Sequence, residues 1–182
     1  MEPPNQAKPG ERRDFFKQTA ALVIGGIAGI FPALAGLTVV FDPLRRKSGA
    51  SSFTRVASLV SLPSDGVPRK FQVIADRSDA WNKFPQVPIG SVYLRRTGED
   101  KVEAFNVVCP HAGCFVDYNT KLGSYLCPCH NSTFAIDGRI KDTKSPSARG
   151  LDSLEVELRQ GTEVWVKFQN FQAGSAEKKP VV

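Results

Sequence analysis

The sequence predicts a mainly β protein: an antiparallel β-sandwich with two inserted Cys- and His-containing loops, preceded by one N-terminal transmembrane helix. Short β-rich runs recur, several of them alternating apolar with polar residues as half-buried strands do, and turn residues separate them. No amphipathic helix is evident among these runs, whereas an uncharged stretch of helical length lies near the N-terminus. The predicted strands are 70–74, 91–95, 102–107, 154–158 and 163–168.

The uncharged stretch is long enough to cross a membrane. It covers residues 19–41, and a helix of that length spans a hydrocarbon core of about 30 Å with some tilt. The run Arg12-Arg-Asp-Phe-Phe-Lys17 directly before it is typical of a twin-arginine export signal. We therefore interpret residues 1–18 as a cytoplasmic signal region and 19–41 as a retained anchor. Ala33-Leu-Ala35 resembles a peptidase site, which leaves removal of the signal as the alternative.

The anchor is followed by a predicted flexible linker over residues 42–52, which contains Pro43, a basic triplet and a run of small residues. Residues 53–172 then make one domain of ordinary size, and 173–182 form a small, charged tail that we expect to be disordered. The chain has a net charge of +6, but residues 50–182 contain seventeen basic and fourteen acidic side chains. This balance gives no electrostatic case for nucleic-acid binding.

All four cysteines and both histidines lie in two short runs, Cys109-Pro-His-Ala-Gly-Cys114 and Cys127-Pro-Cys-His130. Each run can supply one thiolate and one imidazole, with one thiol left over. Thiolates and imidazoles favour zinc or an iron–sulfur centre, whereas calcium and magnesium prefer oxygen ligands. Zinc is the alternative here, although a tetrahedral zinc site needs only four of the six groups.

The paired runs closely resemble the Rieske family, whose 2Fe-2S cluster has two Cys on one iron and two His on the other. The resemblance implies a Rieske-type sandwich in which the two loops form an inserted tip. It further implies Cys109 and Cys127 as ligands of the buried iron and His111 and His130 as ligands of the outer iron. The remaining pair, Cys114 and Cys129, matches a disulfide between the loops that the respiratory members have.

Three further positions bear on the cluster. By the same resemblance, the Ser132 hydroxyl bonds the cluster, and Pro146 belongs to a covering loop that leads into Arg149-Gly-Leu-Asp152. Phe134 occupies a position where respiratory members commonly have a tyrosine that bonds a Cys sulfur. Because hydrogen bonds to the sulfurs stabilise the reduced state, Phe134 predicts a lower potential, suited to a donor such as menaquinol. Core packing is the alternative interpretation of Phe134, and Thr133 is an alternative donor.

Resemblance to the respiratory members implies the iron–sulfur subunit of a quinol:cytochrome c reductase of the cytochrome bc type. The partners would then be quinol, a cytochrome b-type membrane subunit and a c-type cytochrome, with the imidazole of His111 or His130 contacting quinol. The twin-arginine pattern places the cluster domain on the periplasmic face of a bacterial cytoplasmic membrane. Alternatives are the small subunit of an exported molybdenum enzyme such as an arsenite oxidase, and a zinc-stabilised binding module. The linker would be a moving hinge or an ordinary tether.

Overall fold

The structure is a computed structural model that describes residues 9–45, 52–78 and 82–181. The chain divides into two compact units between residues 47 and 48, one helical and one built of strands. The elements are α1 (Pro9–Arg45), β1 (Phe53–Ser58), β2 (Arg69–Ser78), β3 (Lys83–Arg96), β4 (Val102–Asn106), β5 (Asp117–Asn119), β6 (Ser124–Leu126), β7 (Thr133–Ala135), β8 (Ser153–Leu154), β9 (Val156–Arg159) and β10 (Glu163–Lys167), with a single 3₁₀ turn at Leu59–Ser61.

The first unit is one uninterrupted helix, α1, of 37 residues. Within it, Arg12–Asp42 contains a stretch of mean hydropathy 2.1, long and apolar enough to cross a membrane. The large apolar side chains between Phe15 and Phe41 are all exposed, as a lipid-facing helix requires. The helix extends beyond both ends of the predicted anchor. The first four residues of the predicted linker, 42–45, are helical, and residues 1–8 and 46–51 lie outside the described part of the chain.

Two antiparallel sheets form the body of the second unit. One has the strand order β1-β10-β9 and the other β2-β3-β4-β8. Their inner faces share one hydrophobic core, to which Val73 and Val92 contribute from the second sheet and Val164 and Val166 from the first, all fully buried. The alternation of buried and half-buried residues along β10 is the period that the sequence shows. The predicted mainly β, antiparallel architecture is therefore confirmed.

A third, smaller sheet of three-residue strands, β5-β6-β7, supports the two Cys- and His-containing loops. The first loop, residues 109–114, precedes β5, and the second loop, residues 127–132, is the hairpin connection between β6 and β7. Tyr125 and Phe134 are paired across β6 and β7 and are fully buried against Tyr93 and Phe105 of the larger sheet. The small sheet is thereby fixed to the sandwich by aromatic packing.

The C-terminal tail differs from the sequence expectation. Residues 173–182 are predicted to be disordered, yet in the described segment 169–181 the chain folds back on itself. The Gln172 amide donates to the Lys179 carbonyl at 2.8 Å, and the Val181 amide donates to the Asn170 carbonyl at 2.9 Å. The tail has too few apolar residues for a core of its own, so composition gives no signal of order. The order of the tail depends on these hydrogen bonds and on one from the Gly174 amide to the distant Pro110 carbonyl, none of which composition reveals.

Gly90 of β3 is a packing constraint between the two sheets. A Cβ atom there would lie 2.1 Å from Cζ of the Phe168 ring, which packs against the shared core. We expect Gly90→Ala to lower the free energy of unfolding by about 1–3 kcal/mol through overpacking. Thermal unfolding of the purified protein measures this cost.

Gly98→Ala is the matched control, because its Cβ would make only ordinary contacts with Lys101. Phe168→Leu should lower the free energy of unfolding less in the Gly90→Ala protein than in the wild-type protein. In the Gly90→Ala protein, the smaller Leu side chain also relieves the clash. A Gly90→Ala protein that melts at the same temperature as Gly98→Ala would contradict this packing.

Candidate metal centre

The first loop is a tight turn closed by its own backbone. The Cys109 amide donates to the Cys114 carbonyl at 2.7 Å, and the Gly113 amide donates to the Cys109 carbonyl at 2.9 Å. Gly113 has φ of +80°, a left-handed conformation that favours glycine. The turn brings His111 to the outside while Cys109 is fully buried.

The second loop is closed in a similar way, with the Cys127 amide donating to the Ser132 carbonyl at 2.8 Å. Asn131 has φ of +57°, and Asn tolerates this left-handed region better than most residues. Cys127 and Ser132 are buried, whereas His130 is exposed. Both loops therefore have a buried Cys and a more exposed His.

The two free thiols are neighbours in the core. Cys109 and Cys127 are both buried and belong to the same hydrophobic cluster as Phe134 and Leu151. Burial raises the pKa of the Cys109 thiol, while the His111 backbone N–H and the Ser132 hydroxyl, which stabilise its thiolate, lower it. Two adjacent buried thiolates would be costly without a positive metal ion, so this pair is suited to metal ligation.

The two imidazoles meet at the surface. The ring centroids of His111 and His130 are 4.8 Å apart, with the ring planes at 88°. Nδ1 of His111 is buried and has no hydrogen-bond partner, which is unusual for a buried polar atom. An iron atom bound through this nitrogen would satisfy it.

The other two cysteines form the predicted disulfide. Cys114 and Cys129 are bonded, with their Cα atoms 6.6 Å apart, which ties the first loop to the second. The sulfur of Cys127 lies within 4.8 Å of both disulfide sulfurs. Because the disulfide has no thiolate to offer, these three sulfurs do not make a metal site; they show the crosslink lying beside a free thiol of the core.

Four buried hydroxyl groups in or beside the loops have no hydrogen-bond partner: those of Tyr125, Ser132, Thr133 and Ser145. The Ser132 hydroxyl lies near enough to Cys109 to favour its thiolate, but makes no hydrogen bond of standard geometry. Such orphaned donors fit a buried group with acceptor sulfurs placed between the loops. The residues present therefore fit an iron–sulfur cluster.

The covering loop, residues 145–152, lies after β7. Its Leu151 packs in the same hydrophobic cluster as the two free thiols, and the Leu151 amide donates to the Gly138 carbonyl at 2.8 Å. A Cβ on Gly150 would lie 2.5 Å from that same carbonyl, so the loop approaches the chain too closely for a larger residue. Pro146, predicted to cover the cluster, lies in this loop and is exposed.

Asn106 at the end of β4 supports the site and is not identifiable from sequence. It is 1% exposed, and its carboxamide accepts from the Val108 amide at 3.0 Å and donates to the Gln169 carbonyl at 2.9 Å. Tyr93 is a similar case: its hydroxyl donates to the Val116 carbonyl at 3.3 Å and accepts from the Tyr118 amide at 3.0 Å. Both residues join the entry or exit of the first loop to the sandwich, and neither has a motif that marks it.

A buried thiol pair and a surface imidazole pair, on two loops tied by a disulfide, define an iron–sulfur protein with mixed sulfur and nitrogen ligands. Comparison with known proteins agrees. The chain belongs to the Rieske [2Fe-2S] domain family, which it matches over residues 54–159. A Rieske 2Fe-2S cluster is therefore the cofactor of this domain, and the zinc alternative is set aside.

Two of the similar proteins match along most of the chain. The menaquinol:cytochrome c reductase iron-sulfur subunit of Geobacillus thermodenitrificans is 29% identical, covering 82% of this chain and 87% of the relative. The cytochrome b6-f complex iron-sulfur subunit of Prochlorococcus marinus (strain NATL1A) is 28% identical, covering 85% and 92%. Among solved structures, the plasma membrane Rieske protein PetC3 from Synechocystis PCC 6803 is similar at 23% identity, with a TM-score of 0.43, over 62% of this chain and 97% of that one.

We expect Ser132→Ala to lower the reduction potential of the cluster. Loss of one hydrogen bond to a charged acceptor costs about 1–2 kcal/mol, on the order of 50 mV for one electron. A redox titration followed by electron paramagnetic resonance (EPR) measures the shift.

Ser61→Ala is the matched control, because that hydroxyl lies in the 3₁₀ turn outside the two loops and the covering loop, donates to the Ser58 carbonyl at 2.6 Å and should leave the potential unchanged. If Thr133→Val lowers the potential and Ser132→Ala does not, the bond to the cluster belongs to Thr133 and the assignment to Ser132 is wrong.

Proposed function

We propose that this chain is the iron–sulfur subunit of a membrane quinol:cytochrome c reductase of the cytochrome bc type. The observation that carries the proposal is the buried thiol pair beside a surface imidazole pair on disulfide-linked loops. Similarity to iron–sulfur subunits of a menaquinol:cytochrome c reductase and a cytochrome b6-f complex, each over more than four fifths of this chain, supports it. The partners would be a cytochrome b-type membrane subunit and a c-type cytochrome.

Burial supports the assignment of the ligands. Cys109 and Cys127 would hold the inner iron through their core thiolates, and His111 and His130 the outer iron through their ring nitrogens. When bound, the cluster supplies a one-electron acceptor and donor. An imidazole bound to iron through Nδ1 would have its proton on Nε2, and once Nε2 has lost that proton it can accept a hydrogen bond from a quinol hydroxyl and take the quinol proton. His130 is the more exposed of the two rings and hence the easier for quinol to reach.

Membrane attachment would be through α1, as a single pass. The twin-arginine pattern at Arg12 and Arg13 supports export of the folded domain, which would put the cluster on the outer, periplasmic face of a bacterial cytoplasmic membrane. The segment between α1 and β1 would then serve as the linker that lets the domain approach its two redox partners. Pro146 and the rest of the covering loop would limit the access of water to the cluster.

We further propose that menaquinol is the donor, because Phe134 lacks the hydroxyl that raises the potential in tyrosine-containing members. Phe134 is fully buried in the same core as Cys109 and Cys127, so a hydroxyl on this ring would lie within the packed surroundings of the thiols. We expect Phe134→Tyr to raise the reduction potential, on the order of 50 mV for one added hydrogen bond.

Phe115→Tyr is the matched control, since it adds the same hydroxyl to a residue that is 63% exposed, next to Cys114 in the chain. The reduction potential of the cluster in this variant should equal that of the wild-type protein. A redox titration of the three proteins decides the matter. If Phe134→Tyr shows no upward shift, Phe134 is a packing residue and the argument for menaquinol fails.

The partners are tested by purification from membranes of the source organism in mild detergent. We expect a cytochrome b and a c-type cytochrome to co-purify, and the preparation to reduce cytochrome c with quinol. We expect His130→Ala to abolish that activity, whereas Lys121→Ala, at an exposed turn outside the two loops, should leave it intact. Co-purification with a large molybdenum-containing subunit, without cytochrome b, would contradict the proposal and favour the arsenite-oxidase type.

A further inference from the structure

The C-terminal segment, residues 169–181, lies against the first loop. The Gly174 amide donates to the Pro110 carbonyl at 2.8 Å. Gly174 has φ of +76°, and a Cβ there would lie 3.7 Å from the His111 carbonyl oxygen. A glycine suits this position because it adopts the left-handed backbone at no steric cost. A segment remote in sequence thus holds the loop next to a residue that would bind the outer iron.

The hydrogen bond from Gly174 acts on one particular peptide group. The carbonyl of Pro110 and the amide of His111 belong to the same planar unit and, in a trans peptide, point in opposite directions. The hydrogen bond from Gly174 therefore fixes the orientation of the peptide group that joins Pro110 to His111, the residue that would bind the outer iron.

Arg149 joins the C-terminal segment to the covering loop. Its guanidinium forms a two-point ion pair with Asp152, through Nε at 2.9 Å and Nη2 at 2.8 Å, and both side chains are buried. The remaining donors reach the tail: Nη2 donates to the Gln172 carbonyl at 3.0 Å, and Nη1 donates to the Ser175 carbonyl. The tail carbonyls on either side of Gly174 are thus bound by one rigid group.

A second cation secures the far end of the segment. Nζ of Lys178 donates to the Ser153 carbonyl at 2.5 Å, at the start of β8, and lies 4.7 Å from the Phe171 ring centroid. The side chain of Lys179, the next residue, forms an ion pair with exposed Glu177 of the same segment. Among the described residues, the Lys178 side chain therefore attaches the tail to the domain, whereas the Lys179 side chain contacts the tail itself.

We propose that residues 171–180 form a clasp that positions the first loop, with Arg149 as its positioning residue, and that a loop held in this way keeps its backbone N–H groups placed to donate to the cluster. The proposal rests on the proposed ligation by Cys109 and His111 and is independent of which quinol or cytochrome the protein uses. Releasing the clasp lets the Pro110–His111 peptide group rotate, which weakens the hydrogen bonding of the loop backbone to the cluster and lowers the reduction potential.

Three variants test the clasp. Gly174→Ala strains the left-handed backbone at that position. A chain ending at Gln172 removes the hydrogen bond from Gly174 to Pro110. Arg149→Lys keeps the positive charge but loses the two-point ion pair with Asp152. Each should lower the reduction potential in an EPR-monitored titration. By peptide-level hydrogen exchange, protection of the first loop should fall by about tenfold or more, the change expected from losing a restraint of about 1.4 kcal/mol.

The chain provides controls for each effect. Gly161→Ala places the same strain at φ of +70° in the β9–β10 turn, with open space around it, and should destabilise the fold without moving the potential. Lys178→Gln should weaken the clasp, whereas Lys179→Gln should not. Measurements on the purified protein need no quinol or cytochrome, so they stand whether or not the proposed complex is found.

The proposal is overturned if the shortened chain and Gly174→Ala both keep the wild-type potential and the wild-type exchange rate in the first loop. It is also overturned if Gly161→Ala lowers the potential as much as Gly174→Ala does, because the shift would then report general destabilisation. Should the shortened chain fail to take up a cluster, Gly174→Ala and Arg149→Lys decide the question by the same two readouts.

Discussion

Cys109 and Cys127 lie side by side inside the hydrophobic core, while the histidines of the same two loops lie at its surface. Two buried thiolates are costly unless a positive metal ion offsets their charge, whereas a neutral imidazole can bind metal at a partly exposed position. This difference in burial gives the site an insulated sulfur side and an accessible nitrogen side.

The rest of the domain holds this arrangement in place. The second loop is the connection of a short hairpin whose Tyr125 and Phe134 pack against the larger sheet, the disulfide ties this loop to the first, and Leu151 brings the covering loop to the same core. Each loop is thus fixed by strands, by a covalent bond or by packing. A site built in this way needs little rearrangement when its charge changes, which favours rapid electron transfer.

The sequence predicts β2, β3, β4 and β10 of the larger sheets, because half-buried strands such as β10 show a period of two, and it predicts the disulfide through the resemblance of the paired loops. It misses β1, and the single strand predicted over 154–158 is divided between β8 of one sheet and β9 of the other. It does not reveal β5, β6 and β7, since three-residue strands are too short to show a period. The order of residues 173–181 is also hidden, because it depends on contacts such as that of Gly174 with Pro110, far away in the chain. The same holds for Asn106, whose role depends on Gln169 and Val108.

The most direct test of the central claim is pulsed EPR of the reduced protein, purified anaerobically, together with analysis of iron and acid-labile sulfide. We predict equal amounts of iron and sulfide, a reduced 2Fe-2S signal, and nitrogen couplings from two imidazoles, with one set lost in a cluster-containing variant of His111 or His130. A colourless protein containing zinc, or a reduced cluster with no nitrogen coupling, would contradict the account.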